Sequence, residues 1–251
     1  MTHPPEHLRL TCVVAHADDE SARQGWHPVA LLSSGCQHAC RDRDTGERGR
    51  FGDAKTSHGF ATVGTVREGE LCAAALEFGV TDVRLLGYVD GDLDQADPAE
   101  AFTRIVTQLR RVQPQVVITF DPYWAYGHPD HIAICQLTTA AVSVSANPDF
   151  ESDDDGAATH AVSKLYYMAW SPKKWKAYQA VLKTLTSRVD GVERQAQPWP
   201  ESAVTTVIDT SDCWETTWRA VSCHQTQDYY RVFSTVNGGG ARETDLFEGL
   251  R

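Results

Sequence analysis

Short apolar runs alternate with longer amphipathic stretches along most of this chain, and that alternation limits the fold more than any other feature. LRLTCVVAH (8–16), HPVALLSSG (27–35), VRLLGY (83–88), PQVVITFDP (114–122), KLYYMAW (164–170) and AVTTVIDT (203–210) read as strands. Between them, TVREGELCAAALEFGV (65–80) has helical periodicity, with Val66, Leu71, Ala74 and Leu76 as its expected buried stripe and Gly79 as its stop. Asp97-Pro98 is an N-cap followed by proline at the first helical position, opening a helix through Val112. HPDHIAICQLTTAAVSVSA (128–146), PKKWKAYQAVLKTLTSR (172–188) and SDCWETTWRAVSCHQTQ (211–227) read as further helices. Strands alternating with helices predict an α/β fold whose mainly parallel sheet is covered by helices on both faces.

The 251 residues are enough to bury a sizeable core, and no linker divides them, so a single domain over 1–251 is expected. DFESDDDGA (149–157) reads as a charged loop and VNGGGARETD (236–245) as a flexible tail; the polar stretch 37–59 reads as a long loop. A net charge of −11 argues against a nucleic-acid or anionic-membrane partner. No apolar run is long enough to span a membrane and no secretory signal is visible, which predicts a cytoplasmic protein with reduced thiols. Of the seven cysteines, Cys12, Cys72, Cys135 and Cys223 fall in apolar-periodic segments and read as small core residues. Cys36, His38 and Cys40 in CQHAC could hold a soft metal, but the spacing matches no zinc-finger pattern.

In open parallel sheets, ligands collect beyond the carboxyl ends of the strands. AHADDE (15–20) stands at that end of the first strand, and FDPYWAYGHPDH (120–131) ends the fourth. Three adjacent acids repel one another unless something positive lies between them. The bland reading is that Asp18, Asp19 and Glu20 favour a helix N-terminus, and that HPDH merely opens a helix. Two such clusters, each at a strand end, favour a divalent ion held by imidazole and carboxylate, with another carboxylate free to act on water.

Those two clusters resemble the hallmarks of the LmbE-like, or PIG-L, family of zinc-dependent N-acetylglucosaminyl de-N-acetylases. Arg67-Glu68 in its helix, LGYVDGDL (86–93) and CHQTQ (223–227) agree in order, so the resemblance covers about residues 9–227. It implies a Rossmann-like three-layer fold and a hydrolase that removes an N-acetyl group from an amino-sugar conjugate. By the same resemblance His16, Asp19 and His131 are metal ligands, for Zn2+ or another divalent ion such as Fe2+. Asp18 is the general base, His128 stabilises the oxyanion or protonates the amine, Asp130 orients His128, and Tyr126 faces the oxyanion. Arg67 and Asp90 match positions that contact substrate hydroxyls.

Two positions depart from the family pattern. Ala17 replaces a proline that would stiffen the turn. Residues 21–26 alone separate Glu20 from the expected second strand, predicting a shortened first crossover helix. An amidase of a larger N-acyl group, such as a thiol conjugate or natural-product glycoside, would need the same residues. A non-catalytic sugar-binding module on the same fold would not need all of them.

Overall fold

The computed structural model describes residues 8–21, 36–41, 60–153, 156–182, 186–189 and 191–226. Five strands form one sheet: β1 (Leu10–Val14), β2 (Cys36–Arg41), β3 (Val83–Val89), β4 (Val116–Phe120) and β5 (Lys164–Met168). Their order is β3-β2-β1-β4-β5, and every neighbouring pair is parallel. The central strand β1 is buried along its whole length, and β4 nearly so, whereas β3 and β5 at the edges alternate with solvent. That gradient is what a sheet covered on both faces requires of its middle strands.

The helices are α1 (Phe60–Glu77), α2 (Pro98–Val112), α3 (Trp124–Gly127), α4 (Pro129–Val144), α5 (Pro172–Leu182) and α6 (Trp214–Cys223). The crossovers β2-α1-β3 and β3-α2-β4 travel in opposite directions across the sheet. Right-handed crossovers therefore place α1 and α2 on opposite faces. Helix α1 pairs with α6, and α2 with α4. Asp97 caps α2 by accepting from the Ala99 N–H at 2.9 Å, with Pro98 behind it, as the sequence predicts. Helix α1 stops at Gly79, whose φ of 73° suits the left-handed turn, while Val80 N–H returns to the Ala75 carbonyl.

Several expectations change. The buried stripe of α1 is Val63, Arg67, Leu71, Ala74 and Ala75, continued by Phe78 just past its end; Val66 and Leu76 face solvent, because the stripe runs one step around the helix from the expected one. Cys12 and Cys135 are core residues, but Cys72 is exposed and Cys223 only half-buried. The expected strand 27–35 lies outside the described residues. The described strand that pairs with β1 starts at Cys36, and the shortened crossover read from 21–26 lies outside the described residues beyond Ser21. CQHAC, weighed as a metal run, is strand β2, with register pairs to β1 and β3 and an irregularity between His38 and Cys40. The start of the expected loop 37–59 is therefore sheet, and its remainder from 42 lies outside the described residues, as does 236–245.

Beyond α5 the chain forms an antiparallel hairpin, β6 (Thr186–Val189) with β7 (Val192–Gln195), where a helix was expected to continue. AVTTVIDT forms no strand: after a short 3-10 turn at Glu201–Ala203 it runs without regular structure, with Val207 82% exposed. Its apolar, β-branched residues have strand propensity but join neither described sheet, and pairing decides.

Candidate active site

The strand order reverses direction at β1 and β4, and a crevice opens beyond the carboxyl ends of strands at such a switch point. The chain turns immediately after β1: Asp19 N–H bonds to the His16 carbonyl and Ser21 N–H to the Asp18 carbonyl. All of Ala15 to Ser21 is buried in this turn, including Asp18, Asp19 and Glu20. From the other side, β4 is followed by Asp121, whose carboxylate accepts from the Tyr123 N–H at 2.8 Å and turns the chain into α3. His128 then caps α4 through its Nδ1, which accepts from the Asp130 N–H at 3.1 Å.

These two turns bring three donor atoms together. His16 Nδ1 lies 2.9 Å from His131 Nε2 and 3.4 Å from Asp19 Oδ2, and His131 Nε2 lies 3.5 Å from the same oxygen. Ligands ~2.0–2.1 Å from a tetrahedral zinc stand roughly 3.3 Å apart, so this triangle has the dimensions of one face of such a site. His128 is adjacent, with its ring stacked on His131 at 4.8 Å between centroids. His16, His128 and His131, and likewise His16, Asp90 and Asp130, form groups whose ligand atoms lie within 4.8 Å of one another. The group can hold a metal ion.

Carboxylates fix the direction of His16. Its Nε2 faces Asp90 Oδ1 at 3.0 Å and Asp130 Oδ2 at 3.2 Å. A proton on Nε2 leaves the Nδ1 lone pair turned toward Asp19 and His131, the form a metal needs. Asp130 is itself anchored by the Gly91 N–H at 2.7 Å and the Asp94 N–H at 3.3 Å. Burial disfavours charge on His16, yet Asp90, Asp130 and Asp19 together raise its pKa well above the ordinary imidazole value. Burial likewise pushes the Asp90 and Asp130 carboxyls up, but His16 outweighs it and holds both below the usual carboxylate range. The pocket is anionic and favours a cation.

The nine residues singled out from the sequence divide accordingly. His16, Asp19, His128, Asp130, His131 and Asp90 meet. Tyr126 stands beside them, its ring 6.2 Å from His128 and 6.0 Å from His131. Asp18 is buried in the same turn and its charge is felt at His224. Arg67 is buried in α1, donates to Thr226 Oγ1 at 3.4 Å, and acts electrostatically on Asp90. Two of these residues make contacts beyond the roles expected of them. The Asp130 carboxylate bonds His16, its backbone N–H donates to His128 Nδ1, and its charge also interacts with the His128 ring. Asp90 also bonds His16.

Sequence reading missed the supports. Glu20 accepts from the buried His224 Nε2 at 2.6 Å, and Glu70 accepts from Thr226 through both N–H and hydroxyl. Phe120 stacks on His131 at 4.4 Å. The one available signal was CHQTQ, whose histidine and threonine supply both long-range contacts to the acids.

The family model described as GlcNAc-PI de-N-acetylase (PIG-L) matches residues 11–142. A 1D-myo-inositol 2-acetamido-2-deoxy-alpha-D-glucopyranoside deacetylase of Nocardioides is 31% identical, over 96% of this chain and 98% of the relative. The N,N'-diacetylchitobiose deacetylase of Pyrococcus horikoshii superposes with a TM-score of 0.65 at 19% identity, covering 90% of this chain and 74% of its own. A 4-carboxy-2-hydroxymuconate hydratase from Pseudomonas putida superposes with a TM-score of 0.59 at 20% identity, covering 91% of this chain and 84% of its own. The fold therefore carries more than one chemistry, and the site must decide the reaction. Among the described residues no helix is long and apolar enough to cross a membrane.

Proposed function

The chain belongs to the GlcNAc-PI de-N-acetylase (PIG-L) family, and on that premise we propose that it removes the N-acetyl group from an amino-sugar conjugate, with His16, Asp19 and His131 holding Zn2+. The observation that carries this reading is the triangle of 2.9, 3.4 and 3.5 Å among their donor atoms, beside the buried Asp18. A divalent ion there supplies Lewis acidity and brings the pKa of water to about 7. Asp18 takes a proton from the attacking water as its oxygen adds to the acyl carbon. The carbonyl electron pair moves onto oxygen, where the Nε2–H of His128 donates to it; His128 Nδ1 is already engaged as an acceptor. In this reading Tyr126, whose ring stands 6.2 Å from that of His128, supplies a second donor. The C–N bond then breaks, nitrogen takes the proton from Asp18, and acetate and amine leave.

Asp130 serves His16 in this scheme. In this reading Asp90, whose side chain is 31% exposed, accepts a sugar hydroxyl; His16 chiefly keeps it ionised, and His128 and the buried Arg67 add to that. The substrate is a small conjugate of the kind named for the inositol-linked relatives, handled by one domain. A cytoplasmic setting fits the free thiols at Cys12, Cys72, Cys135, Cys213 and Cys223.

The test is acetate release by zinc-loaded protein from 1D-myo-inositol 2-acetamido-2-deoxy-α-D-glucopyranoside, N,N'-diacetylchitobiose and N-acetylglucosamine. Asp18→Asn should retain its zinc and lose about 10²- to 10⁴-fold in kcat. No acetate from any of the three, or full turnover by the variant, overturns the reading.

A further inference from the structure

One charged side chain close to the site has no part in this scheme. Arg194 lies on β7, yet its Nη1 donates to the Gly127 carbonyl at 2.8 Å. Gly127 is the joint between α3 and α4. Its φ is 69°, and a Cβ there would come within 2.8 Å of the Tyr123 ring, so only glycine makes this turn. Tyr126 precedes the joint and His128 follows it. The hairpin touches the same place a second time, through the Tyr123 hydroxyl and the Gln195 carbonyl at 3.4 Å. Arg194 Nε is shut off from solvent and has no hydrogen-bond partner among the described residues. A buried, unmatched N–H costs stability, and arrangements that carry such a cost gather at functional sites.

The Gly127 carbonyl and the His128 nitrogen belong to one peptide group. Its orientation sets where the His128 side chain leaves the backbone, and so whether Nδ1 reaches the Asp130 N–H. We infer that Arg194 is a positioning residue: by holding the Gly127 carbonyl it fixes the direction in which His128 presents its Nε2 proton. The hairpin that carries it is thus part of the site's support. The kinetic consequence rests on the proposed hydrolysis; the structural one does not.

Arg194→Met removes the donor and keeps most of the stem, while Arg194→Lys retains a cation able to reach the carbonyl. Metal content, kcat, KM and the ¹⁵N spectrum of the His128 ring, assigned with His128→Asn, are compared at one pH. For Arg194→Met the expectation is a kcat lower by about 10- to 100-fold, with KM within about twofold and zinc unchanged. The ring should pass from a single Nε2–H tautomer to a mixture, and Arg194→Lys should restore part of both readouts. A kcat within about twofold of the parent, a loss that tracks loss of zinc, or unchanged ring spectra overturns the inference. If the parent releases no acetate, the hydrolase reading fails by itself and the ring spectra still decide the role of Arg194. Should Arg194→Met not fold, Arg194→Gln, which is too short to bridge the gap, is measured in its place.

Discussion

Asp130 has the most to say at the scale of single residues. Its carboxylate holds the Nε2 side of His16 and is held in turn by two backbone N–H groups. Carboxylates behind a ligating histidine fix its tautomer and raise its basicity. Asp130→Ala should therefore weaken zinc affinity about 10- to 100-fold, measured by competition with a chelating dye. If affinity is unchanged while kcat collapses, Asp130 serves His128 instead. The sequence made the donors legible, since His16, Asp19, His128 and His131 lie in two short strings. It left their partners illegible. Gly91 N–H, the Glu20–His224 pair and Arg194 reach the site from distant segments, and nothing in local periodicity says which backbone amide a carboxylate will meet.

Elements were legible where pattern and boundary signals agreed. Helix α2 had its cap, its proline and its stripe, and β4 had prolines on both sides. They failed where propensity lacked a partner, as in 203–210, or where pairing overrode composition, as in the polar strand β2. Helix α5 carries a property that no periodicity shows. Lys174 is half-buried, with its ammonium 5.9 Å from the Tyr178 ring centroid, and burial pushes its pKa down to about 8. The folded state thus disfavours the charge. Below pH 8 Lys174 subtracts stability in full; as pH rises toward the unfolded value of 10.5 that loss disappears. Lys174→Met should gain about 1–2 kcal/mol at pH 7, allowing for partial screening by solvent, and almost nothing at pH 10.5. Urea midpoints at the two pH values measure the difference, and an equal gain at both would mean that packing, not charge, is responsible.

Across the whole molecule, the site is a joint between two halves of the sheet. His16 and Asp19 follow β1, and His131 lies in α4 beyond β4. An ion bound to all three ties these elements together only in the folded state, so it adds to stability by mass action. At a zinc concentration about 100 times Kd, melting should rise by roughly 5–10 °C, and a chelator should reverse it. His131→Ala should abolish the rise; a variant that still melts higher with zinc would place the ion elsewhere. The order of the strands has another consequence, in the time before the molecule is complete. Strand β1 is apolar on both faces, and its partner β4 is made only when residue 120 has left the ribosome. Until then LTCVV has only β2 to pair with, and its other edge stays open. Asp18, Asp19 and Glu20 follow it directly, and a run of like charge at the end of an apolar strand discourages pairing between nascent chains. The acids that crowd the turn after β1 thus also guard the open edge of their own strand.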